Sequence, residues 1–216
     1  MRASSQFATA LWLGAALLVA ACGPDTNATE SQAPPVSAED LIADGPHAVA
    51  TLTVKGMGAI RVELLPELAP KTVENFIALA GERFYDGTTF HRVIPGFMIQ
   101  GGDPNSRSPD PRGHGMGGPG YKLEHEHSAL PMERGVVAMA STGRRNSGSQ
   151  FFIVHQDRPD LNGRFTAFGR VVGGLAVVDA ITQAPIDTYG RYGPPARPYP
   201  EHVVIESIRM EPAAGS

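Results

Sequence analysis

Apolar and polar residues alternate along two neighbouring runs, "AVATLTV" (48–54) and "GAIRVELL" (58–65), joined by the turn-like "KGMG". That period of two predicts a β-hairpin, with Ile60, Val62 and Leu64 on one face and Arg61 and Glu63 on the other. The period then changes. In "APKTVENFIALAG" (69–81), Val73, Phe76, Ile77 and Ala80 fall at i, i+3, i+4 and i+7, with Pro70 in the first turn and Gly81 just past the end. This predicts a helix whose single buried stripe plugs an apolar opening of the sheet.

Further strands are expected at 89–94, 97–100, 135–140, 150–154, 165–172 and 202–210, and a second helix at roughly 174–183 with Leu175, Val178 and Ile181 inward. The pattern therefore reads as all-β (β-rich): a closed eight-stranded antiparallel barrel, without an exposed edge, capped by two α-helices. Residues 104–120 and 184–200 hold no periodicity and are rich in Pro and Gly. Loops of that length in a compact domain are often functional.

Composition agrees with many turns, since 216 residues include 25 Gly and 19 Pro. The net charge is −4, with scattered lysines and arginines, which argues against nucleic acid as a partner. The N-terminus stands apart. An apolar run from Phe7 to Val19 ends in "LLVAACG", where Ala20 and Ala21 precede Cys22, the one cysteine of the chain. The run has the length of a signal-peptide core and is short for a bilayer span. The string resembles a bacterial lipobox, so residues 1–21 are expected to be a signal peptide and Cys22 a lipidated first residue. The plainer alternative is an ordinary signal peptide with an incidental cysteine. Residues 22–46 carry acids, Ser, Thr and Pro and no basic residue, the composition of a solvated tether, leaving 47–212 as the folded domain.

Strand parity makes "FHRVIPGFMIQGGD" (90–103) informative. Side chains two apart share a face, so Met98 points with Gln100, Gln150 with Phe152, and Arg92 with Phe90 and Ile94. Planar hydrogen-bonding groups interleaved with apolar ones make up either a pocket with a few placed donors or the solvated side of a barrel. Pattern alone leaves both open.

"FHRVIPGFMIQGGD", followed by "MASTGRRNSGSQFFIV" (139–154) and "LNGRFTAFGRV" (161–171), and preceded by "PKTVENFIALA" (70–80), resembles the cyclophilin family of peptidyl-prolyl cis/trans isomerases. The likeness runs from about 48 to 210, with four blocks in the family's order. It implies the eight-stranded, two-helix barrel. It also implies that Arg92 is the catalytic residue, that Phe97, Met98, Phe152 and Leu161 form the proline pocket, and that Gln100 and Gln150 are polar contacts to the peptide. The backbone at Ala140 and Ser141 would hold the substrate chain, with His91 and Phe165 beside the site. Three positions depart from well-known eukaryotic members: Ser141 replaces an asparagine, Asp160 a tryptophan and Phe165 a histidine. The first change leaves backbone contacts intact. The other two lie at the pocket rim and put binding of the cyclic-peptide inhibitor cyclosporin in doubt, while proline turnover should persist.

The chemistry explains the residue types. An X-Pro amide resists rotation by roughly 18–20 kcal/mol because its nitrogen donates a lone pair into the carbonyl. Twisting localises that pair, and a donor aimed at it binds the twisted state better than either planar one. Arginine stays protonated and holds its donors in a rigid fork. No covalent bond changes, so no cofactor or metal is expected. "GHGMGG" (113–118) fits a dinucleotide-binding spacing by letter but follows no strand, and "HEH" (125–127) with His114 suits a polar loop better than a metal site.

The expectation is thus an isomerase, anchored through Cys22 to a membrane of the bacterial cell envelope and facing the periplasm or exterior. It would act as a monomer on proline-containing segments of exported proteins. Gly23 after the cysteine mildly favours the outer membrane in a Gram-negative cell. A binding module or chaperone for proline-containing segments, without turnover, and a structural envelope lipoprotein are the alternatives.

Overall fold

The computed structural model describes residues 41–42, 47–141, 143, 145–187, 197–198 and 203–211. The expected signal peptide, Cys22 and nearly all of the expected tether lie outside these residues.

The hairpin forms as predicted. Strand β1 (Val49–Val54) pairs antiparallel with β2 (Gly58–Leu64) in a register running from Val49 opposite Glu63 to Val54 opposite Gly58. Ile60, Val62 and Leu64 are buried, whereas Arg61 is exposed. Helix α1 (Pro70–Gly81) buries Thr72, Val73, Phe76, Leu79 and Ala80, and Ile77 packs at the edge of the same core. Its own sequence supplies no N-cap, because Ala69 has no side-chain acceptor. The Glu126 carboxylate does so from across the fold. It accepts hydrogen bonds from Lys71 N (3.0 Å), Thr72 N (2.8 Å) and Thr72 Oγ1 (2.6 Å), satisfying donors that a helix end otherwise leaves unpaired.

The chain continues through β3 (Arg92–Ile94), β4 (Met98–Gly101), β5 (Lys122–Leu123), β6 (Val136–Ser141), β7 (Asn146–Val154) and β8 (Ala167–Gly173). Helix α2 (Leu175–Thr182), the short pair β9 (Ile186–Asp187) and β10 (Arg197–Pro198), and β11 (Ile205–Met210) complete it. The 104–120 segment holds two 3₁₀ turns, Pro104–Arg107 and Pro111–Gly113, and a third lies at Pro159–Leu161.

The main sheet is antiparallel, in the order β11-β1-β2-β8-β6-β7-β4-β3, with β5 on β7. It curls into a half-barrel, and the expected closure is not made by ladder pairing: β3 and β11 are its two ends. Among the described residues the ends approach each other through the segment before β3, by the bridge Thr89–Val204 and backbone bonds such as Phe90 N to Val203 O (3.1 Å) and Ile205 N to Thr88 O (2.7 Å). β3 pairs with β4 through three residue pairs, from Arg92 opposite Gln100 to Ile94 opposite Met98.

Both faces of the curl are covered. One holds the main core, where Phe76 lies 5.2 Å from Tyr85 and from Phe168 and 5.7 Å from Phe151, ring centroid to centroid. Such pairs contribute about 0.5–1.5 kcal/mol each beyond area burial. The other face carries a second cluster, Leu65, Met98, Leu130, Met132, Val136, Ala138, Phe152, Val154, Leu161 and Ala167, with Ile42 packed at its margin. Among the described residues no helix is long and apolar enough to cross a membrane.

Candidate functional site

The Pro-Gly break in "RVIPGFM" is a tight turn. Phe97 N donates to Ile94 O (3.0 Å), Pro95 fills the position that favours its fixed φ, and Gly96 takes φ +76°, which only glycine adopts without strain. Folding back there pairs Arg92 with Gln100 and Ile94 with Met98, while β7 sets Phe152 opposite Gln100. Directly opposed residues share a face. Arg92, Met98, Gln100, Gln150 and Phe152 therefore come together on the second-cluster side, while Ile99, Phe151 and Ile153 between them enter the main core.

These residues line a cleft of about 460 Å³. Its apolar slot consists of Phe97, Met98, Phe152, Leu161 and Phe165, with the Phe152 and Phe165 rings edge to face at 5.2 Å. Leu161 enters from the third 3₁₀ turn. The outer side of Phe97 is covered by the Arg158 guanidinium, 4.1 Å from the ring centroid, itself held by two bonds to Asp160 at 2.7 and 2.8 Å. Asp160 is thus bound at the rim, where it keeps a cation stacked on the pocket wall.

Along the slot runs a chain of hydrogen bonds. Arg92 Nη1 donates to Gln100 Oε1 (3.4 Å), Gln100 Nε2 to Gln150 Oε1 (3.0 Å), and Gln150 Nε2 to Gly117 O (2.8 Å). The chain ends on Asp103, a fully buried carboxylate that accepts from Gly117 N (3.3 Å), Gly115 N and Asn105 N (2.8 Å). A Cβ on Gly117 would collide with that carboxylate, so only glycine lets the loop wrap so closely. Arg92 itself lies exposed at the cleft mouth, contrary to the buried-strand setting its neighbours suggest. Partial desolvation still lowers its guanidinium below the ordinary value, and it remains charged.

Of the other expected site residues, Ala140 and Ser141 line the cleft at the end of β6. The Ser141 hydroxyl lies 3.0 Å from Arg145 O and 3.3 Å from His125 Nε2. His91 does not line the cleft: it is buried just before β3, behind Gly115. The sequence reading missed the far wall, made by Gly115–Gly118 with Met116, Tyr121, Lys122 and Ser147. The signal for it in the sequence is the length of the 104–120 segment and its lack of periodicity. "HEH" has separate tasks, His125 at Ser141 and Glu126 at helix α1. Among the described residues no group of three or more His, Cys, Asp or Glu could hold a metal ion.

This arrangement, a slot sized for a small apolar ring beside a fixed cation and amide groups, can bind a proline side chain and present a donor to its nitrogen. Comparison with known proteins agrees. The family described as "Cyclophilin type peptidyl-prolyl cis-trans isomerase/CLD" matches residues 49–210. "Peptidyl-prolyl cis-trans isomerase B" of Bacillus subtilis is 53% identical over 118 residues, 54% of this chain and 78% of that protein. The protein of the same name from Streptomyces anulatus is 46% identical over 173 residues, 71% of this chain and 91% of that one. Among solved structures, a Cryptosporidium parvum cyclophilin type peptidyl-prolyl cis-trans isomerase crystallised in the presence of the dipeptide Ala-Pro superposes with a TM-score of 0.64. It shares 30% identity and covers 76% of this chain and 99% of its own.

Proposed function

This chain belongs to the cyclophilin-type peptidyl-prolyl cis-trans isomerase family and is such an isomerase; from that premise we propose that Arg92 stabilises the twisted X-Pro amide while the Phe97/Met98/Phe152/Leu161 slot grips the proline ring. The observation that carries the reading is the placement of an exposed, partly desolvated guanidinium at the mouth of an apolar slot, aimed by Gln100. In the planar amide the proline nitrogen accepts no hydrogen bond; in the twisted one it does, and a charged donor gains strength only then. Gln100, Gln150 and the backbone at Ala140 and Ser141 hold the peptide on either side of the rotating bond.

The substrates in this proposal are proline-containing polypeptides, in keeping with the Ala-Pro dipeptide of the Cryptosporidium crystals. Cys22 anchors the domain to a membrane of the cell envelope, where exported chains arrive unfolded and their prolines equilibrate over tens to hundreds of seconds unaided. Two experiments test this. Catalytic amounts of the protein should accelerate cis/trans exchange of an X-Pro peptide followed by exchange NMR; saturable binding without acceleration would favour the binding module. Cys22→Ser should move the protein from the membrane to the soluble fraction and abolish fatty-acid labelling. A variant that stays in the membrane would remove the anchor from the proposal.

A further inference from the structure

The turn that sets Arg92 against Phe97 is braced by a side chain outside the cleft. His155 follows β7, its backbone N donating to Phe97 O (2.9 Å). Its ring is mostly buried, and its Nδ1 accepts the Gly96 N–H at 2.9 Å. Gly96 lies in the turn between β3 and β4, outside both strands, so its N–H takes this side-chain acceptor in place of a ladder partner. The opposite ring nitrogen, Nε2, lies 3.1 Å from Asp179 Oδ1 on helix α2. Asp179 is in turn held by Arg134 Nη2 at 2.9 and 3.0 Å, and Arg134 Nη1 donates to His155 O (2.9 Å). Asp179 and Arg134 are the charged groups facing the ring. The Arg134 hydrogen bond, foremost, holds the Asp179 carboxyl below its ordinary value, so it stays an anion able to accept from Nε2–H.

These contacts assign the ring a tautomer. Nδ1 must carry the lone pair to accept from Gly96, so the single proton sits on Nε2. We propose that His155 is a positioning residue of the isomerase: in its neutral form it fixes the Pro95-Gly96 turn, and with it the spacing of Arg92 and Phe97. Without an acceptor at that position the Gly96 N–H would lose its partner. The turn would then be free to move, and it joins the strand bearing Arg92 to Phe97. The inference rests on the assignment of turnover to Arg92 and the adjoining slot.

The test measures kcat and KM for an X-Pro peptide on wild type and two variants. His155→Leu, with no acceptor for Gly96 N–H, should lower kcat about five- to tenfold, as expected from losing one hydrogen bond that aims the catalytic group, with KM changing less. His155→Asn offers a side-chain oxygen at the Nδ1 position and should restore kcat to within about twofold of wild type. Wild-type kcat in a folded His155→Leu overturns the proposal, and so does a loss in His155→Asn as large as that in His155→Leu. Full activity in Arg92→Ala would instead remove the reading beneath it, a result separable from either outcome at His155.

Discussion

Replacing Arg92 with alanine isolates the step that separates an isomerase from a proline binder. The side chain is exposed and makes one 3.4 Å contact, to Gln100, so truncation should change stability by no more than about 0.5 kcal/mol. In the twisted state the loss is larger. A charge-assisted hydrogen bond contributes about 1.5–3 kcal/mol, and about 1.4 kcal/mol is a factor of ten in rate. The expected fall in kcat/KM is therefore roughly ten- to hundredfold. Phe97, Met98, Phe152 and Leu161 are untouched, so peptide Kd should stay within about threefold of wild type. Exchange NMR on an X-Pro peptide gives the rate, and calorimetry gives the Kd. Turnover within threefold of wild type would refute the assignment of Arg92. A fall in turnover matched by an equal loss of binding would show that Arg92 merely holds the ground state.

Two further outcomes follow from contacts away from the cleft. Glu126→Ala removes the cap of helix α1 and leaves the buried Thr72 hydroxyl without its partner, a cost of about 2–3 kcal/mol. The melting temperature should drop by about 5–10 °C, read by calorimetry; a drop under about 1 °C would mean water serves the helix end as well. The Glu211 carboxyl is lowered from 4.5 to about 2, first by the Arg61 hydrogen bond and then by Thr51. A value lowered on folding means its stabilisation is complete above about pH 4.5 and is lost as the pH falls towards 2. Glu211→Gln should thus be less stable than wild type at pH 7 and equal to it near pH 2 in urea titrations. A gap that does not change with pH would contradict this ion pair.

The hairpin and helix α1 were legible because each has one solvated side, so the period shows in the letters. Strands β6 and β7 were found only as apolar runs, and β7 was cut short at 150 although it starts at Asn146. The reason is burial on both faces: Phe151 and Ile153 enter the main core while Phe152 and Val154 enter the second cluster, so no alternation remains to read. The helix cap could not be found from sequence, because Glu126 lies more than fifty residues from the donors it satisfies. Barrel closure was overestimated for a related reason. Counting strands says nothing about whether the two ends of the sheet pair, and here the ends, β3 and β11, share no ladder and approach through the chain before β3, at the bridge Thr89–Val204. Parity did place Met98 with Gln100 and Gln150 with Phe152, since a strand fixes that relation locally. It did not place Asp103 or Gly117, which reach the site through loop geometry.

The two-sided burial of β4 and β7 also bears on how so little chemistry can suffice. An acceleration on the order of a millionfold needs about 8 kcal/mol, and one charged hydrogen bond supplies about 1.5–3. The remainder has to come from holding the proline ring and the flanking peptide still while the bond between them turns, which works only if the holding groups do not yield. Met98 and Phe152 cannot retreat, because the residues beside them, Ile99, Phe151 and Ile153, are locked in a packed core on the other face. Gln100 and Gln150 cannot swing, because each is bonded to the next and the chain ends on the buried Asp103 carboxylate. Alternate residues of the same two strands therefore divide the work. One set packs the sheet, and in the proposed mechanism the other turns that rigidity into selective binding of an amide midway through its rotation.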